Sequence, residues 1–353
     1  MLEVLRSGRL SLGPMLERFE RELAAWVGAR EAVGVSSGTA ALHLGVRALE
    51  WGSGDQVVTS PFSFVASANC LLYEGAEPAF CDVDPVTLNI DPGAAEAACG
   101  ERTAGILPVH MFGYPADLPA LERLAQAKGL GVVEDACEAL GAVDADGVKV
   151  GARGNVAAFA FYANKQLTTA EGGMLACGDP DIAERARSER NQGRGADMDW
   201  LTHERFGFNY RLSELQAAVG VAQLERADDI LARRAELARR YSERLAEIDG
   251  LELPAEGRGR ERRSWFVYPV QVPDGVDRDG VVAALAGRGV AAKAYLPCIH
   301  LQPYYRERYG FHGGEFPVAE RAAARSLALP FFNAMEEEDV ERVCDALREV
   351  LGP

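Results

Sequence analysis

The sequence predicts an α/β protein: three layers, with helices on both faces of a mainly parallel central sheet, plus a smaller C-terminal α/β unit. Three observations carry this expectation. From Gly38 to about Ala176, short apolar runs alternate with amphipathic stretches, the pattern of buried strands covered by helices. From Ser213 to about Ile248 the chain turns charged and rich in Ala and Leu, which reads as a long helix, broken once. Beyond it, strand and helix patterns resume on a smaller scale. A length of 353 residues exceeds one ordinary small domain and suits a large unit over residues 1–235 with a smaller one over 236–353.

Strands are expected at Gln56–Thr59, Pro78–Val83, Gly105–His110, Gly131–Glu134, Val156–Phe161 and Gly173–Ala176. Each is a brief apolar run bounded by turn residues. Between them, Thr39–Leu49, Ser67–Tyr73 and Leu118–Ala127 carry helical periodicity. In such sheets ligands gather at the carboxyl ends of strands, so residues just after a strand are the first candidates for chemistry. Pro254–Arg263 is a polar connector. Strand Trp265–Val272, helix Arg278–Arg288, strand Val290–Tyr295 and helices around Val318–Ser326 and Glu337–Leu351 follow. The arginines between 233 and 244 read as a solvated helix face with internal ion pairs.

Charge narrows the partners. With 37 Lys and Arg against 53 Asp and Glu, the formal net charge is −16, which repels nucleic acid and anionic membranes. Neither is expected as a partner. A phosphorylated small molecule stays open, because a pocket's local field can oppose the global one. The seven cysteines are scattered without a CxxC pair and the five histidines are dispersed. No metal site and no disulfide framework are expected, and a reducing cytoplasm is. Met1–Arg6 lacks the apolar region of a signal peptide, and no apolar run is long enough to span a membrane.

Three constellations could carry chemistry. Ser36-Ser37-Gly38-Thr39-Ala40-Ala41 is a small-residue turn entering a helix; free N–H groups there make a phosphate cradle. The same string also reads as an ordinary capped helix start. Val132-Val133-Glu134-Asp135 is an apolar strand ending in two carboxylates. Such carboxylates are often merely solvated, but a buried one needs a cationic partner, and a protonated pyridine nitrogen is one. Finally, Phe159-Ala160-Phe161-Tyr162-Ala163-Asn164-Lys165 runs from an aromatic strand into a polar loop with one lysine, then reaches Gly172-Gly173. A lone loop lysine is usually a surface charge. One that is desolvated near other charges becomes a nucleophile for carbonyls.

Taken together, these motifs resemble the DegT/DnrJ/EryC/StrS family of sugar aminotransferases, a branch of the fold-type I enzymes (the aspartate aminotransferase superfamily) that use pyridoxal 5'-phosphate (PLP). The resemblance runs from Gly13-Pro14-Met15-Leu16-Glu17-Arg18-Phe19-Glu20 through Glu134-Asp135-Ala136-Cys137-Glu138. It continues through Gly207-Phe208-Asn209-Tyr210-Arg211-Leu212-Ser213-Glu214 to His300-Leu301-Gln302-Pro303-Tyr304-Tyr305. It implies that Lys165 is the Schiff-base lysine and Asp135 the partner of the pyridinium nitrogen. It places Gly38 and Thr39 at the phosphate, Phe64 against the ring and Glu138 near the ring's 3'-oxygen, with Asn164 or Asn209 a candidate for the phosphate bond that a serine gives in many members. Asn209 and Arg211 match a segment contributed to the neighbouring subunit's cofactor phosphate, which implies a homodimer with shared sites. His110 and His300 are candidate substrate contacts.

The family's activity is transfer of an amino group, with L-glutamate as donor and a nucleotide-linked keto-(deoxy)sugar as acceptor, in polysaccharide or antibiotic sugar biosynthesis. A cyclitol ketone is an alternative acceptor, and a PLP-binding regulatory protein without turnover is an alternative of another class. Related sugar dehydratases carry histidine where Lys165 stands, so the lysine favours transamination. Three departures stand out. Ala160 replaces a phosphate-binding serine found in many members. Glu138 stands where glutamine or histidine is common, and a second anion beside the cofactor's phenolate oxygen would be costly. Relatives also usually carry a longer lead before the segment that begins here at Met1, so either the start is misplaced or part of the site's rim is missing.

Overall fold

A computed structural model describes residues 1–195 and 202–352. Among the described residues, seven strands form the main sheet: β1 Glu31–Val35, β2 Gln56–Thr59, β3 Glu77–Phe80, β4 Thr103–Leu107, β5 Gly131–Asp135, β6 Val156–Ala160 and β7 Gly173–Cys177. Their order is β1-β7-β6-β5-β4-β2-β3. Neighbours pair in parallel except for β7, which runs antiparallel to both β1 and β6. The mainly parallel α/β sheet expected from the sequence is therefore present. Pro78 sits in β3 at the sheet's edge, where its missing N–H costs the ladder nothing.

Six of these strands coincide closely with the expected runs, but β1 was not anticipated. Its sequence, Glu-Ala-Val-Gly-Val, is short and contains glycine, so little in it separates strand from turn. Its four buried residues pair with β7. Helix Gly38–Ala48 follows β1 directly, and its buried face lies across β6 and β7. That packing makes the helix start a fixed feature of the sheet's edge.

The long charged stretch is two helices, Glu214–Leu224 and Ala227–Leu245, with the single break the sequence suggested. The second contributes Leu237, Ala238, Tyr241 and Leu245 to a separate core with Tyr268, Val270, Leu327 and Leu347. A three-stranded antiparallel sheet backs that core: β8 Tyr268–Gln271, β9 Lys293–Ala294 and β10 Ser326–Leu329, in the order β8-β10-β9. β10 replaces the expected end of a helix. Ser-Leu-Ala-Leu before Pro330 is too short a run for periodicity to assign, and all four residues are buried.

One arginine contradicts the reading of a purely solvated helix face. Arg234 is only 5% exposed and donates to the carbonyls of Trp265 (2.6 Å) and Phe266 (2.7 Å) and to Asn333 Oδ1 (2.7 Å). Burial pushes its guanidinium down to about 10, and those three acceptors answer its desolvation. The outer arginines do pair as expected, as in Arg240 with Glu236 at 2.6 Å. Among the described residues, no helix is long and apolar enough to cross a membrane.

Candidate active site

The carboxyl ends of β1, β5 and β6 and the amino end of antiparallel β7 all point to one edge of the sheet. Register brings them level: Val35 lies opposite Gly173, Gly173 opposite Ala160, and Asp135 opposite Ala158. A cavity of about 470 Å³ opens there. Gly38, Thr39 and Phe64 line it, as do Asp135, Glu138, Asn164 and Lys165. Seven of the eleven residues singled out in the sequence thus share one space.

The lysine loop is a short return between β6 and β7. Phe161 N–H donates to Gly172 O (2.9 Å), Thr169 N–H to Phe161 O (2.9 Å) and Lys165 N–H to Tyr162 O (3.0 Å). Ala170 turns the chain with a φ of 69°. Gln166 ties the loop inward, donating from Nε2 to Ser264 Oγ at 3.0 Å. Held this way, the Lys165 ammonium lies 3.7 Å from Glu138 Oε1 and 4.1 Å from the centre of the Phe266 ring. A cation over an aromatic face and beside a carboxyl oxygen is stabilised by both.

At the helix start, Ser37 caps the turn by accepting from Ala40 N–H at 3.1 Å. This leaves the first N–H groups of helix Gly38–Ala48 turned toward the cavity, where an anion is favoured. The turn is packed so closely that side chains are excluded. A Cβ at Gly38 would lie 2.7 Å from Ala160 Cβ and 2.8 Å from Cys137 Sγ, and one at Gly173 would lie 2.3 Å from the Ser37 carbonyl. Ala160 is therefore the floor of the turn, without a hydroxyl to offer.

Asp135 is 6% exposed. Ser67 Oγ donates to its Oδ2 at 2.6 Å and Cys137 N–H to its Oδ1 at 3.2 Å. Glu138 accepts from Phe112 N–H at 3.0 Å; Phe112 adopts a φ of 52° in presenting that donor. Burial raises the Glu138 carboxyl above the usual range, opposed by Lys165 and the Phe112 N–H. Burial likewise holds the Cys137 thiol well above its usual value, with Asp135 adding to the effect, so it stays neutral. Phe64 is 60% exposed and forms one wall of the cavity.

Four singled-out residues lie elsewhere. His110 is fully buried, accepts from Ala116 N–H at Nδ1 (2.9 Å) and faces Glu134 with Nε2 (3.3 Å). His300 is also fully buried, with Nε2 3.0 Å from Glu320 and its ring among Phe80, Phe311 and Phe316. Neither presents a surface to a substrate, which corrects the expectation for both; they are core residues at the ends of apolar runs. Asn209 and Arg211 lie outside the cavity lining of their own chain. Asn209 bridges to Asn191, and Arg211 donates to Asn191 Oδ1 at 3.1 Å.

Sequence reasoning missed Ser67, Cys137 and Phe266. Ser67 could have been found from its place one turn after Phe64. Phe266 comes from the second core's side of the chain and leaves no local signal.

A helix-start turn too tight for a Cβ at Gly38, a buried carboxylate, a sheltered lysine and a half-exposed aromatic ring surround this cavity. That donor set fits a phosphorylated pyridine aldehyde. The turn suits the phosphate, Asp135 suits a protonated ring nitrogen, and Lys165 suits the carbonyl. Fold and cavity together define a PLP-dependent transferase.

The DegT/DnrJ/EryC1/StrS aminotransferase family profile matches residues 1–348, and the chain belongs to that family. It is a PLP-dependent aminotransferase. SpsC, a spore coat polysaccharide biosynthesis protein of Bacillus subtilis, is 38% identical, with 99% of this chain and 92% of SpsC covered. DesV of S. venezuelae, solved in complex with a ketimine intermediate, superposes with a TM-score of 0.93 at 38% identity over 99% of this chain and 92% of its own. NtdA of B. subtilis, solved with its cofactor PMP bound, gives a TM-score of 0.90 at 30% identity, covering 99% of this chain and 80% of its own.

Proposed function

We propose that this enzyme takes an amino group from L-glutamate and delivers it to the ketone of a nucleotide-linked deoxysugar, in the making of a polysaccharide or an antibiotic sugar. The observation that carries amino transfer is that Lys165 and Asp135 border one cavity with the anion-binding turn at Gly38. Kinship to SpsC, named for polysaccharide biosynthesis, supports a sugar as acceptor. The cytoplasm, where activated sugars and glutamate are both available, is the proposed setting.

When bound, PLP supplies an electron sink for the carbon that loses its proton. The chain's residues do the rest. The Gly38 and Thr39 N–H groups would hold the phosphate, with Asn164 or Asn209 a candidate for the bond that Ala160 cannot give, and Phe64 would pack on the ring. Asp135 would keep a proton on the ring nitrogen. Lys165 would be the attachment point and, once freed, the general base and acid of the proton transfer. Glu138 would stand at the ring's polar edge. Asn209 and Arg211, turned away from their own cavity, serve the phosphate of a second subunit, so the working form is a homodimer.

Two experiments test this. Lys165→Ala should abolish the visible absorption that PLP acquires on covalent attachment and lower turnover by about 10²–10⁴-fold; retained turnover ends the proposal. Incubation with 2-oxoglutarate and a panel of nucleotide-linked amino sugars and amino cyclitols should deaminate one of the sugars. Deamination of a cyclitol alone would change the acceptor. Covalent PLP attachment with no amine deaminated would instead favour a regulatory protein.

A further inference from the structure

Asp135 does not face the cavity unaided. Ser67 Oγ lies 2.6 Å from Asp135 Oδ2, and Ser63 Oγ lies 2.6 Å from Ser67 Oγ. Ser67 is 0% exposed and Ser63 4%. A hydroxyl has one proton to give, and an ionised carboxylate only accepts. The row therefore has one direction: Ser63 donates to Ser67, and Ser67 donates to Asp135. A second acceptor for Ser67, Phe64 O, lies farther away at 3.1 Å, whereas 2.6 Å is the length of a charge-assisted O–H···O⁻ bond.

We infer that Ser67, backed by Ser63, is a positioning residue for the amino transfer: it aims the Asp135 carboxylate at the ring nitrogen of the cofactor. The inference rests on the proposed role of Asp135. The same turn of chain that carries Phe64 to the cavity wall starts helix Ala66–Leu72 and delivers the Ser67 hydroxyl beneath the carboxylate. Aromatic wall and carboxylate support thus come from one short stretch of chain. Without the donor, Oδ2 would lose its short charge-assisted bond inside the protein, leaving the group to the backbone N–H of Cys137, at 3.2 Å, and to that residue's thiol.

Other titratable groups near Asp135 are Lys165, Glu138, Cys137 and Cys70. Burial raises both thiols and leaves them neutral. Neither Lys165 nor Glu138 touches Ser67 or Ser63, so removing the hydroxyl perturbs Asp135 without altering them directly.

The test uses PLP-loaded enzyme carrying Ser67→Ala, Ser67→Thr or Asp135→Asn. A hydrogen bond to a charged group is worth about tenfold to a hundredfold, and Ser67→Ala should lower kcat by that factor. It should also move the pH midpoint of the bound cofactor's absorption change by about one unit. Ser67→Thr, which keeps the hydroxyl, should restore both. An unchanged absorption titration in Ser67→Ala overturns the inference, whether or not kcat falls, because a merely structural serine would leave the cofactor's titration alone. If Asp135→Asn itself left absorption and turnover unchanged, the role of Asp135 would fail instead. Should Ser67→Ala not fold, Ser63→Ala removes only the backing donor. It should shift the titration the same way with a loss of about twofold to tenfold, and no shift there also overturns the inference.

Discussion

The ammonium of Lys165 lies 3.7 Å from Oε1 of Glu138, so the proposed Schiff-base lysine shares its cavity with a second carboxyl group besides Asp135. Burial raises the Glu138 carboxyl, and Lys165 only partly offsets it. This contact, the packing at Gly38, and the places of Arg211 and His300 outside the cavity each lead to a measurable outcome.

A folded-state value above the unfolded one means that the native protein binds this proton more tightly. The resulting stabilisation is complete below the ordinary value of 4.5 and is lost as pH rises through the raised one. Glu138→Gln cannot ionise and escapes that loss. Cofactor-free Glu138→Gln should therefore be more resistant to urea than its parent near neutrality, and the gap should close toward pH 4.5. A gap that stays constant with pH would contradict the raised carboxyl.

Gly38→Ala would place a methyl 2.7 Å from Ala160 Cβ. Overpacking of this kind costs about 1–3 kcal/mol, and here it would also deform the phosphate turn. Thermal denaturation should show the loss, and equilibrium dialysis should show weaker PLP binding. The clash is shared between the Ala160 methyl and Cys137 Sγ, so Gly38→Ala combined with Ala160→Gly should regain part of both losses but not all, a coupling that independent sites would not show.

If Arg211 serves the neighbouring subunit's site, two inactive variants can rescue each other. Lys165→Ala and Arg211→Ala, unfolded and refolded together, should form mixed dimers with one intact site. Activity should recover to roughly a quarter of the unmutated level, as random pairing would give. No recovery on mixing would mean that Arg211 works within its own chain.

His300 is enclosed by Phe80, Phe311 and Phe316, and its Nδ1 has no hydrogen-bond partner among the described residues. His300→Leu keeps the apolar contacts and removes the bond to Glu320. It should lower stability by about 1–3 kcal/mol while leaving KM for both substrates within about twofold. A large rise in KM would return this histidine to the substrate site.

Much of the fold could be read in the sequence because a parallel sheet buries strands on both faces, and continuous apolar runs such as Val132–Val133 record that directly. β1 and β10 escaped for the opposite reason: each is short, holds small residues, and is recognisable only from the strand beside it. Within the cavity, Asp135 and Lys165 stood out because each comes after an apolar strand in a distinctive string, and Gly38 because it stands in a small-residue turn entering a helix. Ser67 and Phe266 did not, since their positions depend on how separate segments pack. The two histidines misled for a related reason. A polar residue at the end of an apolar run can face a ligand or fold back into the core, and the deciding partners, Ala116 and Glu134 for His110 and Glu320 for His300, are separated from them in the chain.

The lysine loop connects two adjacent interior strands of the sheet, with β5 beyond one and the edge strand β1 beyond the other. The Lys165 amine therefore rides on strands paired on both sides, and such strands are usually the last to exchange their amide hydrogens. Warming that frays the edge strand β3 or the terminal helix leaves that hairpin closed. The protein can lose its margins before it loses its chemistry.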